Sequence, residues 1–152
     1  MAITTSMVTS FKSELFLGGH IFSTTSGDVF MMALIKPGMT GTYDATTTNY
    51  SNLGADEITG TGYTATGLAL TNVMPATGGT VAFVTFAPNP SWTTATFSTA
   101  GCMIYNSTAR TGLTTGRACS VHDYGGSQQV SSGTFTVLMP SADSSSAILR
   151  IL

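Results

Sequence analysis

Charged side chains are scarce in this sequence of 152 residues. Five are Lys or Arg and seven are Asp or Glu, which together make 8% of the chain, whereas a globular protein usually has about 25%. Five scattered basic residues can neutralise few phosphates, so we expect no nucleic-acid partner. The shortage of Glu and Lys excludes a coiled coil. The hydrophobic fraction of 42% and the net charge of −2 exclude an intrinsically disordered chain.

Long apolar runs and a secretion signal are also missing. The longest apolar run, Val29–Ile35, has seven residues, whereas a membrane-spanning helix needs about 20. Residues 1–6 contain neither the basic segment nor the long apolar segment of a signal peptide. We therefore expect no membrane partner and synthesis in a cytoplasm.

Cysteine is equally rare, with Cys102 and Cys119 the two in the chain. Two cysteines are too few to stabilise a secreted disulfide scaffold. They could pair with each other, but a reducing cytoplasm favours two buried thiols. We therefore expect both to be reduced.

Small hydroxyl side chains take the place of the missing charges. The chain has 17 Ser and 28 Thr, and the β-branched threonine side chain suits a pleated strand. Soluble monomers commonly keep about a quarter or more of their surface charged, which this chain cannot do. Its surface is easily desolvated, so we expect a subunit of a large assembly. A soluble monomer with a hydroxyl-rich face is the alternative.

One helix is predicted, near residues 10–17. Ser10 can act as its N-cap, Phe11 and Leu15 lie four residues apart on one face, and Gly18-Gly19 ends it. Two turns are too short to be stable alone in water. The helix must therefore dock on its own sheet or on a neighbouring chain, and we favour its own sheet.

The rest of the chain is typical of short strands separated by turns. Turn signals recur about every 8–12 residues over much of the sequence, as in a β-sandwich or barrel. The sequence predicts one all-β domain spanning residues 1–152, with about eight or nine strands in two sheets. Residues 1–19 are expected to form an N-terminal arm that includes the short helix.

Several strand boundaries follow from turn residues. Thr93–Phe97 and Cys102–Tyr105 are predicted as separate strands, and Gly116–Tyr124 as a strand that ends at Gly125-Gly126. Alternation and apolar runs predict the core residues. They are Phe22, Phe30, Met32, Leu34, Leu70, Phe83, Ile104, Val121, Phe135 and Val137.

The sequence offers little for catalysis or metal binding. Histidine occurs only as His20 and His122. His122 precedes Asp123, but adjacent residues of a strand point to opposite faces, so this aspartate could not readily orient the imidazole as a catalytic triad requires. No Cys or His spacing fits zinc, and we interpret Asp44 and Asp56-Glu57 as solvated turn acids rather than Ca²⁺ ligands. We predict no catalytic residue, no metal and no cofactor.

One glycine-rich string resembles a nucleotide-binding motif. Residues 60–65, Gly-Thr-Gly-Tyr-Thr-Ala, match the pattern G-x-G-x-x-A. That pattern binds a dinucleotide only between a strand and a helix, and the residues that follow do not have a helical pattern. Among 17 glycines, we interpret the match as chance.

Carbohydrate binding is the alternative that the aromatic residues leave open. Trp92 follows the turn Pro88-Asn89-Pro90, and Tyr43, Tyr50 and Tyr63 lie in polar stretches. β-Sandwiches often bind sugars on an aromatic shelf, although an aromatic residue at a loop is more often half-buried packing.

An ordered set of short strings resembles a known family. The strings are Phe11–Leu15 leading into Gly19-His20, then Gly60–Thr64, Leu68–Val73, Ile104–Asn106, Pro140–Asp143 and Ala147–Arg150. Together, from residue 11 to the last residue, the chain resembles small virion proteins of tailed bacteriophages, some of which are similar to capsid cement or decoration proteins. The resemblance implies a jelly-roll-like β-sandwich that binds and stabilises a head lattice, with no catalytic motif.

The resemblance also implies partners and a location. The major capsid protein would be the main partner, and the protein would be found in the virion (capsid), assembled in the bacterial host cytoplasm. We further expect a homo-oligomer, a dimer or trimer. A head-fibre or tail-associated module that binds a receptor or a carbohydrate is the alternative function.

The candidate interface lies near the two ends of the sequence, with Trp92 added from its middle. The short helix around Met7–Leu17 needs a partner, and the final strand, Ala147–Leu152, has apolar residues on both faces. An interface of at least about 1,000 Å² in total is expected, and deletion of residues 1–10 is expected to leave the domain folded but to weaken capsid attachment. The candidate interface residues are Met7, Phe11, Leu15, Phe16, Trp92, Arg150 and Leu152.

Overall fold

The computed structural model describes residues 1–152 as two antiparallel sheets and one short helix. The elements are β1 (Ser6–Met7), α1 (Thr9–Phe16), β2 (Phe30–Ile35), β3 (Leu68–Leu70), β4 (Ala76–Gly78), β5 (Val81–Val84), β6 (Ser91–Asn106), β7 (Arg117–Thr136) and β8 (Leu149–Ile151), with short 3-10 turns at Tyr50–Asn52 and Gly54–Asp56. The larger sheet has the order β1-β7-β6-β2-β3 and the smaller one β4-β5-β8. The predicted all-β class with two sheets and one short helix is confirmed.

The long hairpin of β6 and β7 departs from the predicted strand boundaries. Thr99 pairs with Gln128 and Gly101 with Asp123, so residues 124–127 lie opposite a single partner residue. Gly125 has φ of +74° and Gly126 of +146°, conformations that glycine adopts at little cost. The prediction that Gly125-Gly126 ends the strand is therefore wrong. These glycines form a bulge, and the strand continues beyond it.

The separation of Thr93–Phe97 from Cys102–Tyr105 is wrong for a related reason. Both segments belong to β6, because their shared partner strand spans the intervening residues despite the irregular register. Pairing with a long neighbour outweighs the weak strand preference of Ala100-Gly101.

The core is built on β2, β6 and β7 and contains a cluster of aromatic rings. The rings of Phe22 and Phe30 stack with centroids 4.3 Å apart, and Phe30 lies 5.5 Å from Phe86. Most of the predicted core is confirmed as buried: Phe22, Phe30, Met32, Leu34, Leu70, Ile104 and Val121. Phe83, Phe135 and Val137 are only partly buried. Phe83 belongs to the small sheet, and the other two lie at or just beyond the end of β7, where fewer elements cover the strands.

The N-terminal residues are integrated into the domain. The backbone N–H of Thr4 donates to the carbonyl of Tyr43 (2.8 Å), and β1 pairs with β7. Ile3 and Val8 are both buried. Deletion of residues 1–10 would remove these two core side chains, so the expectation that it leaves the domain folded is replaced by an expected loss of stability.

Helix α1 docks on its own domain, as we expected. It packs against β7, and its Phe11 is buried with its ring centroid 4.6 Å from that of His20. The prediction that Ser10 caps the helix is wrong. Strand β1 ends at Met7 and the helix begins at Thr9, so Val8 occupies the N-cap position. No side chain caps the helix.

The glycine-rich string at residues 60–65 packs against the long hairpin. Thr61 forms an isolated bridge with Thr96 on β6, and a Cβ atom at Gly60 would lie 2.5 Å from the Thr96 carbonyl oxygen. The element that follows is β3 and not a helix, so the string lacks the context of a dinucleotide site. Nowhere in the fold is there a helix with the length and apolar character that spanning a membrane requires.

Candidate interaction groove

An apolar groove separates helix α1 from the small sheet. We call it the helix–strand groove, and its inner part is lined by Phe11, Leu15, Phe22, Val84, Leu149 and Ile151, among others. Its outer part continues past Met7, Lys12, Leu15, Phe16, Arg150, Ile151 and Leu152. The groove therefore joins the N-terminal helix to the C-terminal strand.

Local periodicity explains how each wall is built. Phe11 and Leu15 lie four residues apart on the inner side of the helix, and Lys12 and Phe16 form the neighbouring stripe. On the strand side, Leu149 pairs with Val84 and Ile151 with Ala82, so these apolar side chains share one face of the sheet.

Large apolar side chains are exposed at the mouth of the groove. Phe16 and Leu152 are each 93% exposed, and Ile151 is 53% exposed. Single exposed apolar residues are common, but an apolar cluster beside an apolar groove is typical of an interaction site. The arrangement can bury a partner's apolar side chains, which is a binding role rather than a chemical one.

The structure brings together all but one of the predicted interface residues. The residues that line the groove are Met7, Phe11, Leu15, Phe16, Arg150 and Leu152. Trp92 lies apart from them, in the β6–β7 hairpin, where it is 5% exposed and packs with Phe97 and Phe135. Lys12 and Ile151 also line the outer groove. Both lie in the predicted contact segments, Met7–Leu17 and Ala147–Leu152, but neither was among the predicted interface residues.

The aromatic residues considered for sugar binding form hydrogen bonds or pack inside the fold. The hydroxyls of Tyr50 and Tyr63 both donate to the Glu57 carboxylate, at 2.5 and 2.7 Å. The Tyr43 hydroxyl donates to Asp56 at 2.7 Å. These three side chains are held by hydrogen bonds, and together with Trp92 they present no exposed aromatic shelf.

The acids that we interpreted as solvated turn residues have structural partners. Asp56 is 3% exposed and accepts the backbone N–H groups of Thr40 and Gly41 as well as the Tyr43 hydroxyl. Burial alone would raise the pKa of this carboxyl, but these hydrogen bonds hold it far below its ordinary value. Asp56 is thus a buried anchor, and its description as a solvated acid is wrong. No group of three or more His, Cys, Asp or Glu side chains is placed to hold a metal ion.

A buried polar cluster anchors α1 behind the groove. The Nε2 atom of His20 lies 2.7 Å from Glu14 Oε2, and Arg117 donates to the carbonyl of Gly19 at 2.7 Å. The guanidinium Nε of Arg117 also lies 3.7 Å from Glu14. None of these pairs was predicted from the sequence. The Arg117 contacts join residues 14–19 to β7, about a hundred positions later in the chain, and the His20–Glu14 contact links residues six positions apart, a spacing that carries no helical or strand signal.

The same cluster places a thiol beside an imidazole. Cys119 Sγ lies 3.9 Å from His20 Nδ1, and Glu14 lies on the opposite side of the ring. A nucleophilic cysteine needs access and a lowered thiol pKa. Burial instead raises the pKa of Cys119 well above its ordinary value, and both side chains are fully buried. The geometry therefore supports a structural role, and the absence of catalysis stays a prediction.

Hydrogen bonding fixes the tautomer of His20. The side-chain amide of Asn106 donates to Asp28 at 2.7 Å and contacts His20 Nδ1 at 3.0 Å, while its carbonyl oxygen accepts the backbone N–H of Thr108. With the amide so oriented, Nδ1 must accept, and Nε2–H must donate to Glu14. A proton added at Nδ1 would face an N–H donor.

We predict that acidification destabilises the protein between neutral pH and about pH 4. Burial lowers the pKa of His20, against the opposing effect of Glu14, and burial lowers the pKa of His122 to about 4. The unfolded chain takes up these protons near the ordinary value of about 6.5, whereas the folded chain resists them. The free energy of unfolding is therefore highest above pH 7 and falls as the pH drops through this window.

Urea unfolding at pH 7.5, 6.0 and 5.0 measures this effect. The variant His122→Gln should show a shallower pH dependence than the wild type, since it removes one of the two groups. A free energy of unfolding that rises on acidification from pH 7 to 5 would contradict the prediction.

Comparison with protein-family models, with curated proteins and with solved structures finds no match to this chain. The resemblance to phage virion proteins rests on the sequence strings given above.

Proposed function

We propose that this protein is a structural subunit of a phage virion, a capsid cement or decoration protein that binds and stabilises the head lattice. The observation that carries the proposal is the helix–strand groove, with Phe16 and Leu152 each 93% exposed at its mouth. The protein would bind the major capsid protein and copies of itself, as a dimer or trimer. A jelly-roll-like arrangement of the two sheets belongs to the same proposal.

The composition of the chain supports an attached subunit. With only 8% charged residues, few groups lose hydration when the surface is covered. Apolar contacts and neutral hydrogen bonds are also weakly screened by salt. The resemblance of the ordered strings to virion proteins supports a phage head as the lattice, and the apolar groove supports contact through this face.

Loss of the exposed groove residues should release the protein from particles. We expect the double variant Phe16→Ser, Leu152→Ser to lose association by about tenfold or more per residue, since burying a Leu or Phe side chain contributes about 1.5–3 kcal/mol. Quantitative mass spectrometry of virions purified on a density gradient measures the copies that remain bound. Both residues are exposed, so the fold should persist.

Leu138→Ser is the matched control for this experiment. Leu138 is an apolar residue that is 77% exposed and does not line the groove. The control should remain bound, and a wash at 1 M salt should release little of the wild type. A wild-type chain absent from purified particles would overturn the proposal, and binding of a glycan array would favour the receptor-binding alternative.

A further inference from the structure

The helix–strand groove contains the two basic side chains that lack an acidic partner. The other three of the five basic residues lie within 4.0 Å of a carboxylate, in the pairs Lys36–Asp56, Arg110–Asp28 and Arg117–Glu14. Lys12 and Arg150 are in no such pair, are exposed, and line the outer groove. No Asp or Glu lines the groove.

One acid is affected by this charge but forms no ion pair with it. The backbone N–H groups of Ser145 and Ser146 donate to the Asp143 carboxylate at 2.8 and 2.7 Å and lower its pKa, and Arg150 helps to lower it further. Arg150 instead donates to the carbonyl of Ser144 at 3.3 Å. The groove thus carries two cations on an apolar surface, which favours an anionic and apolar occupant.

Strand β8 supplies a backbone edge beside these cations. It pairs only with β5, at one end of the small sheet. Its other side makes no backbone hydrogen bond within the chain. An unpaired edge of this kind can accept an added strand from another chain, with the main chain giving affinity and the side chains giving specificity.

The alternation of side chains along β8 specifies the sequence pattern of that strand. Leu149 and Ile151 face the α1 side of the sheet. The Cβ atom of Arg150 leaves the strand on the opposite face, although its long side chain also lines the outer groove. A residue on an added strand shares a face with the residue directly opposite it. Apolar residues should therefore oppose Leu149 and Ile151, and an acidic residue between them should oppose Arg150.

We propose that the helix–strand groove binds, by strand addition to β8, an extended segment of a partner protein in which carboxylates alternate with apolar side chains. This inference rests on the proposed function, in which the segment would belong to the head lattice protein. A second copy of this chain fits less well, because pairing two β8 strands brings two Arg150 side chains together without a carboxylate between them.

Labelled peptides test the proposal on the purified protein. The probe is a fluorescein-labelled peptide with the core Val-Asp-Val-Asp-Val, compared with Val-Lys-Val-Lys-Val and with an acidic peptide whose central valine is proline. Fluorescence anisotropy should show the acidic peptide binding about tenfold or more tightly than the lysine peptide. Proline should weaken binding, since it removes a backbone donor, and hydrogen exchange should slow at 149–151.

A charge reversal sharpens the test. Arg150→Glu should weaken binding of the acidic peptide by about tenfold and improve binding of the lysine peptide. Thr134→Glu adds a carboxylate at an exposed position of β7 outside the groove and should leave both affinities unchanged.

Several results would overturn the proposal. The first is no binding by any peptide, and the second is equal binding by all three. The third is a dimer in analytical sedimentation that Arg150→Glu abolishes, because such a dimer would assign the groove to a second copy of this chain. The outcome is separable from the proposed function. Peptide binding by a chain absent from virions would refute only the cement role, whereas virion attachment without peptide selectivity would refute only the strand-addition proposal.

Discussion

Arg117→Met is expected to lower the free energy of unfolding by about 3–5 kcal/mol, as in other proteins that lose one partner of a buried ion pair. Arg117 is fully buried. It donates to the carbonyls of Gly19, Thr108 and Thr114 and lies beside Glu14. Methionine fills part of the space. It leaves the three carbonyls without a donor and Glu14 without its nearest guanidinium, and a buried polar group that has lost its partner lowers the free energy of unfolding.

The single tryptophan makes this loss measurable. Trp92 is the one tryptophan in the chain and is buried, so its fluorescence should report unfolding in urea. The midpoint of thermal unfolding should fall by about 10 °C. Arg150→Met removes the same charge from an exposed position and should change stability by no more than about 0.5 kcal/mol. Equal effects of the two substitutions would show that the buried cluster does not stabilise α1.

Gly67→Ala should be destabilising by about 3 kcal/mol or more, because two costs act together. Gly67 has φ of +82°, which favours glycine, and a Cβ atom there would lie 1.9 Å from the carbonyl oxygen of Met32 and 2.8 Å from Ala33 Cα. Both contacts are backbone of β2, a central strand of the larger sheet. The methyl group can be accommodated only if the turn before β3 moves away from the sheet.

Gly112→Ala separates the two costs. Gly112 has a similar φ of +78°, but a Cβ atom there would meet nothing within 4 Å. The variant Gly112→Ala should therefore lower the free energy of unfolding by only about 1–2 kcal/mol, through backbone strain alone. Urea unfolding of both variants gives the difference, and equal losses would mean that the turn is not packed against β2 in solution.

The sequence predicted each wall of the groove separately, because each wall belongs to one helix or one strand. The four-residue spacing of Phe11 and Leu15 and the apolar alternation around Arg150 each follow from one element, and both reappear in the groove walls. The meeting of these elements could not be predicted, because it depends on pairings such as that of β1 with β7. The sequence interpretation named both walls separately and proposed each as a contact.

The errors have a common physical origin. The pair Gly125-Gly126 predicts a positive φ, which occurs both in turns and in bulges. Which of the two forms depends on the partner strand, and here the pairing with β6 continues past the glycines. Trp92 after a proline-rich turn could be exposed or packed, and its neighbours Phe97 and Phe135 are brought to it by the hairpin. The buried Glu14–His20–Arg117 cluster could not be predicted, since Arg117 is brought to the other two residues from β7, about a hundred positions later in the chain.

The separation of the two groove walls along the chain has a consequence for the order of folding. One wall is α1 and the other is β8, whereas the β6–β7 hairpin between them has contacts of much shorter range. Long-range contacts form late because closing a large loop costs entropy. The groove therefore exists only after both of its walls have been synthesised and folding has brought them together. A partner that binds the groove would recognise the folded domain and not a nascent or misfolded chain.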